Sequence, residues 1–198
     1  MSESRATITT PDRALEQLLA GNARYVGGLA RQPRQSPARR AEVCGSQAPF
    51  AVVLGCADSR VPPEIIFDQG LGDLFVLRVA GNVVDDMVLG SIEYAAVHLD
   101  VTLVMVLGHS QCGAVTATAL GDGLEGHIPS LARAIQPAVD RASEMDGDLL
   151  ENAIRQHASS MAAELRASQP LLAPLVESGK LKIGAAHYDL GSGVVKVL

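Results

Sequence analysis

Two short segments carry most of the chemistry open to this chain. Gly55-Cys56-Ala57-Asp58-Ser59-Arg60 sets a thiol, a carboxylate and a guanidinium at alternate positions. In an extended chain residues i, i+2 and i+4 share a face, so Cys56, Asp58 and Arg60 are predicted to point the same way. Gly108-His109-Ser110-Gln111-Cys112-Gly113 adds an imidazole and a second thiol. It leaves an apolar run and opens a helical one, and a helix N-terminus favours a thiolate at Cys112. Two thiolates and an imidazole suit zinc best. Three protein ligands leave a fourth position for water, which marks a catalytic rather than a structural site. His-x-x-Cys alone is a weak signal; the weight lies in two such segments, each directly after an apolar strand.

The surrounding elements must bring these segments together. Phe50–Leu54, Leu74–Val79 and Val101–Leu107 read as buried strands, the last unbroken and rich in β-branched residues. Leu181–Tyr188 and Val194–Leu198 read as two more, joined by a turn at Leu190-Gly191-Ser192-Gly193. Asp12–Tyr25, Met87–Leu99, Cys112–Leu120, Pro129–Ala142 and Asp148–Ser168 carry helical spacing, and Pro170–Ser178 is a further short candidate. Asp85-Asp86 suits a helix start. Strands alternating with helices predict an α/β fold with a mostly parallel sheet flanked by helices, its last strand antiparallel at an edge. With the first and third strands as neighbours, their C-terminal ends flank a topological switch point, where open α/β sheets place ligands. Gly27 to Arg40, with Pro33, Pro37 and four arginines, reads as an extended arm.

Composition narrows the class. A chain of 198 residues suits a single domain, 1–198, with a real core. Aromatics are 3% and Trp is absent, so that core must be built from Val, Leu, Ile and Ala. A net charge of −6 disfavours nucleic acid and anionic membrane as partners. The longest strongly apolar stretch is too short to span a bilayer, and Met1–Arg5 lacks the apolar core of a secretory signal. Three cysteines, an odd count, argue against a disulfide framework. A cytoplasmic location is expected. Cys44 lies outside both motifs and is read as a spectator; His98, His127, His157 and His187 could shuttle protons, with a surface or packing role the plainer reading of each.

The two motifs, Cys56-Ala57-Asp58-Ser59-Arg60-Val61-Pro62 and Gly108-His109-Ser110-Gln111-Cys112-Gly113-Ala114, resemble the beta-class carbonic anhydrases. So do Phe75-Val76-Leu77-Arg78 and Ser91-Ile92-Glu93-Tyr94-Ala95 between them. The resemblance runs from the N-terminal helix through Asp189. It implies that family's fold, with strand order 2-1-3-4 and strand 5 antiparallel at the edge. It implies one zinc ion per chain on Cys56, His109 and Cys112, an Asp58–Arg60 dyad beside the metal, and a substrate pocket lined by Gln47, Phe75, Ala80 and Tyr94, partly from a neighbouring subunit. It also implies a homodimer or homotetramer, with residues 1–40 packing on a partner.

The implied reaction is reversible hydration of CO2 to bicarbonate and a proton by metal-activated water. Asp58 held by Arg60 would orient the attacking oxygen; released from it, Asp58 would become a fourth ligand and close the site. Arg78 and Tyr188 match two positions of an inhibitory bicarbonate site found in some members, but Val53 stands at its Trp position, so that site is not expected here. The rival readings are a carbonyl sulfide or carbon disulfide hydrolase on the same scaffold, which fold analogy cannot separate, and a catalytically silent zinc or bicarbonate-binding protein.

Overall fold

The computed structural model describes residues 10–123 and 125–198; Met1–Arg5, read above for a leader, lie outside them. The first helix, α1 (Pro11–Val26), starts where Thr10 accepts a hydrogen bond from the Arg13 amide and Pro11 takes the first turn. A short α2 (Pro37–Glu42) leads into β1 (Ala51–Gly55), α3 (Pro63–Ile66) and β2 (Leu74–Arg78). A turn at Ala80–Asn82 precedes α4 (Asp86–His98), capped as expected by Asp85, which accepts from the Val88 amide at 2.8 Å. Then follow β3 (Leu103–His109), α5 (Gly113–Leu120), α6 (Pro129–Ser143), α7 (Leu149–Ala167), α8 (Leu172–Glu177), β4 (Lys182–Tyr188) and β5 (Val195–Val197).

The sheet runs β2-β1-β3-β4-β5 and is parallel except for β5, which runs antiparallel to β4 at the edge. Every residue of β1 and β3 is buried, as their unbroken apolar runs require of strands covered on both faces. Successive side chains alternate between two cores. Ala51, Val53, Leu103, Met105 and Leu107 join Ala14 and Leu18 of α1. Val52, Leu54, Val104 and Val106 join Ile92 and Ala95 of α4 and Ala162 and Leu165 of α7. After β1 the chain crosses to β2 on one side, and after β3 to β4 on the other, so the ends of β1 and β3 form the expected switch point.

The stretch expected as an extended arm is folded back onto its own chain. The Arg31 and Gln32 amides donate to Asp68 at 3.0 and 2.9 Å, Arg24 Nε donates to it at 2.6 Å, and Arg34 Nε donates to Asp73 at 2.8 Å. Both carboxylates are buried, and a buried carboxylate needs such donors. Ser36 caps α2 within the same stretch. Among the described residues no helix is long and apolar enough to cross a membrane.

Candidate metal centre

The ends of β1 and β3 bring Cys56, His109 and Cys112 together, with all three ligand atoms within 4.8 Å of one another and all three residues buried. Cys56 leaves β1 directly, His109 is the last residue of β3, and Cys112 caps α5. The His109 ring is oriented by its own loop: Nδ1 lies 2.9 Å from the Ser110 carbonyl oxygen. A carbonyl only accepts, so Nδ1 carries the proton and Nε2 carries the lone pair. That Nε2 is buried and has no hydrogen-bond partner among the described residues. An orphaned imidazole nitrogen facing two buried thiols is costly unless a cation takes all three donors. The donor set therefore fits a zinc ion.

The two thiols lower and raise each other's proton affinity. A thiolate at Cys56 accepts the S–H of Cys112, and also the amides of Asp58 at 3.4 Å and Gly81 at 3.3 Å. The first ionisation therefore falls well below the ordinary thiol range, against the penalty of burial. The same contact pushes Cys112 up, with burial second, even though the Ala114 and Val115 amides at the start of α5 pull it down. The helix terminus thus acts on Cys112 in the expected direction, through those two amides. In the absence of a metal the contact with Cys56 is the larger effect.

Asp58 and Arg60 are joined as a fork: Arg60 Nε donates to Oδ1 at 3.0 Å and Nη2 to Oδ2 at 2.7 Å, and the Arg60 amide adds a third bond at 2.9 Å. The segment is not extended here. The Val61 amide reaches the Asp58 carbonyl at 3.2 Å, so Asp58–Val61 is a turn. The two side chains meet because an Asp bonds the amide two residues on, rather than by strand alternation. The Arg60 guanidinium holds the Asp58 carboxyl down at about 2. Arg60 Nη2 also reaches the Gln111 carbonyl at 3.3 Å, which ties the dyad to the loop of the second thiol. Both Asp58 oxygens are engaged by Arg60, and the cluster of donor atoms consists of Cys56, His109 and Cys112.

The four residues of the implied pocket are less closely grouped within one chain. Ala80 is half-buried, next to Gly81, whose amide reaches the Cys56 sulfur. Phe75 is half-buried on β2, while Gln47 and Tyr94 are exposed, and Tyr94 stacks at a tilt on His98 with ring centroids 5.1 Å apart. Arg78 is committed to the loop of the first thiol: Nε donates to the Cys56 carbonyl at 3.0 Å and Nη2 to that of Asp58. The Tyr188 hydroxyl lies 3.5 Å from that of Tyr25. Sequence reasoning missed Gly81 and this clamping role of Arg78. A lone Gly two residues past the expected strand Leu74–Val79 was the available signal for Gly81; for Arg78 there was none.

Comparison with known proteins agrees with this geometry. The family model described as Carbonic anhydrase matches residues 51–195. Carbonic anhydrase 2 of Mycobacterium tuberculosis is 41% identical over 189 residues, covering 93% of this chain and 91% of that protein. The carbonic anhydrase of Mycolicibacterium smegmatis is 40% identical over 193 residues, covering 96% and 94%. Among solved structures, a Coccomyxa beta-carbonic anhydrase in complex with acetazolamide superposes with a TM-score of 0.74 at 29% identity, covering 93% of this chain and 86% of that one. One of two tetrameric beta-carbonic anhydrases from Sordaria macrospora gives 0.74 at 26% identity, covering 94% and 97%.

Proposed function

The chain belongs to the beta-carbonic anhydrase family, and on that premise we propose that it interconverts CO2 and bicarbonate at a single zinc ion held by Cys56, His109 and Cys112. The observation that carries the reading is the buried Nε2 of His109, without a hydrogen-bond partner among the described residues, beside two buried thiols. Held by those three residues, a zinc ion would supply the Lewis acidity that brings the pKa of water toward neutrality. Two thiolates cancel the ion's charge, so the acidification is weaker than at a three-imidazole site. Activity is therefore expected to rise above neutral pH.

The protein's own groups set the geometry of attack. Asp58, kept ionised by Arg60, accepts the O–H of the attacking water and aims its lone pair at the carbon. Arg78 holds the carbonyls of Cys56 and Asp58 and so fixes ligand and dyad relative to each other. The half-buried Phe75 and Ala80 offer apolar walls suited to a small neutral substrate. Gln47 and Tyr94, exposed on one chain, complete the pocket in a homodimer or homotetramer; α1, Arg31 and Arg34 are already seated on their own chain, so residues 1–40 meet a partner through their outward side. A cytoplasmic location accords with the free cysteines. The sulfur-substrate and silent-binding readings gain nothing from the comparisons.

Stopped-flow CO2 hydration on metal-quantified protein tests the proposal. One zinc per chain is expected, with faster turnover at pH 8.5 than at pH 7, and with zinc and activity both lost in Cys112→Ala. Asp58→Asn should keep its zinc and lose about 100-fold in rate, the scale of a group that positions a proton in the transition state. Bound zinc without hydration at either pH would sink the reading. A rate flat from pH 6 to 9 would sink the charge argument.

A further inference from the structure

We infer that His157 is a positioning residue for the metal centre: from α7 it holds the carbonyl of Gly81, a residue whose own N–H is donated to the sulfur of Cys56. The inference rests on the metal-site reading above and adds a residue that lies far from both motifs in sequence.

His157 is 1% exposed and lies among Ile154, Ala158 and Met161 on the buried side of α7. An imidazole so placed costs desolvation energy, and what it gains in return shows its use. Its Nε2 lies 2.8 Å from the carbonyl oxygen of Gly81. The carbonyl only accepts, so Nε2 carries the proton and donates it. Nδ1 has no partner among the described residues. The bond to Gly81 is thus the polar contact that sets the ring's orientation, and burial keeps the ring neutral.

Gly81 is a residue that needs holding. Its backbone sits at φ 70°, ψ 15°, in the left-handed region that glycine enters without steric cost and also leaves easily. A Cβ there would meet Ile135 Cδ1 at 2.8 Å. Its amide reaches Cys56 Sγ at 3.3 Å. Three links therefore run from helix to ligand: the imidazole N–H to the Gly81 oxygen, the Gly81 backbone, and the Gly81 N–H to the sulfur. Without the first link the Gly81–Asn82 peptide keeps the bond from the Asn82 amide to the Val79 carbonyl at 2.9 Å but loses its hold from α7, and the Gly81 N–H is seated less firmly on the sulfur.

The consequence is electronic as well as structural. An N–H bonded to a thiolate takes up part of its negative charge, so the sulfur donates less to the ion. The ion keeps more of its own charge, which offsets part of the neutralisation by two thiolates. The sulfur is also held in place, which slows loss of the metal. His157 acts through Gly81, with no contact to substrate.

The test compares wild type, His157→Leu and His157→Gln, each loaded with zinc or with cobalt(II). Three readouts other than turnover are followed: hydrogen exchange at the Gly81 amide, transfer of zinc to a chelator, and the thiolate-to-cobalt charge-transfer band. In the Leu variant we expect the amide to exchange faster, zinc to leave about tenfold faster, the scale seen when partners of metal ligands are lost, and the band to move to lower energy as the sulfur becomes more electron-rich. Gln, whose amide N–H can reach the same oxygen, should return all three toward wild type. If His157→Leu does not fold, His157→Asn, with an amide too short to reach Gly81, carries the same expectation. A folded Leu or Asn variant with wild-type exchange, zinc release and band position would overturn the inference, as would a Gln variant no better than it. A wild-type protein that takes up neither metal would overturn the metal-site reading, and this inference with it.

Discussion

His187 shows how burial, helped by a nearby guanidinium, can tie acid stability to one ring. It is 3% exposed on β4, in register with Gly108. Burial is the largest influence on it and, with the nearby Arg155 guanidinium, draws its pKa down to about 4; Asp189 opposes them, and His109 and Lys196 add to the lowering. Glu151 Oε2 lies 3.2 Å from Nε2, a contact that would ordinarily favour the charged ring. It does not win: Nε2 has no hydrogen bond among the described residues, and the half-exposed carboxylate is also 3.8 Å from Arg155. The folded-state pKa is depressed below the unfolded value near 6.5, so the unfolded chain binds more protons between the two. The stabilisation is fully present above about pH 6.5 and is lost as pH falls through about 4. Its full size is about 3 kcal/mol. His187→Gln should flatten the pH dependence of urea stability between pH 4.5 and 6.5 relative to wild type; parallel curves would show that the ring is charged when folded. His109, His157 and His187 are all buried alike and differ only in their partners. The spacing to Cys112 made His109 legible in the sequence. The other two depend on Gly81 and on Arg155, contacts made by the fold and invisible to local pattern.

At the scale of elements, legibility followed length and burial. β1 and β3 were readable because a strand covered on both faces is an unbroken apolar run, and α7 because its buried stripe recurs at helical spacing. The short α2 and α3, the turn at Asp58–Val61 and the turn at Ala80–Asn82 were not. Each is too short to show a period, and local bonds such as the Ser36 cap of α2 are joined by contacts from distant segments, Arg39 with Leu71 and Arg78 with Cys56 and Asp58. The seating of α1 belongs to the same class. A Cβ on Gly21 would lie 1.8 Å from the Phe67 carbonyl oxygen, just past α3. The next residue, Asn22, donates to the Ile66 and Gly193 carbonyls at 3.2 and 2.8 Å and accepts from the Val195 amide at 2.9 Å. Two effects compete in Gly21→Ala. Helix propensity favours Ala by about 1 kcal/mol. The clash is with backbone, so α1 must move and the Asn22 bonds stretch, at a cost of about 2–4 kcal/mol. The clash is the larger, so calorimetry should record a lower Tm. A higher Tm would mean that α1 does not sit this close to α3.

At the scale of the whole molecule, one edge of the sheet is unfinished. Among the described residues β2 has a single strand neighbour, β1, and its run Leu74–Leu77 is only half-buried although apolar throughout. Ile65, Leu71, Met87 and Tyr94 are exposed as well, Met87 at 80%. An apolar edge strand left open is a template for pairing with another chain, and proteins that stay monomeric blunt such edges with lysine or proline. A second copy of this chain over the β2 edge would cover these groups and bring a partner's side chains toward Phe75 and Ala80. Val76 separates the two roles of β2. It pairs with Val53, yet unlike Leu74, Phe75 and Leu77 it is not among the residues packed on either core. Val76→Lys should leave the fold and the zinc content intact and shift sedimentation from an oligomer to a monomer. If Gln47 or Tyr94 from the partner helps enclose the substrate, turnover should fall by at least about tenfold in that monomer, the scale of a lost positioning contact. A fully active monomer would place the whole pocket within one chain. A Val76→Lys protein that still sediments as an oligomer would move the interface away from β2.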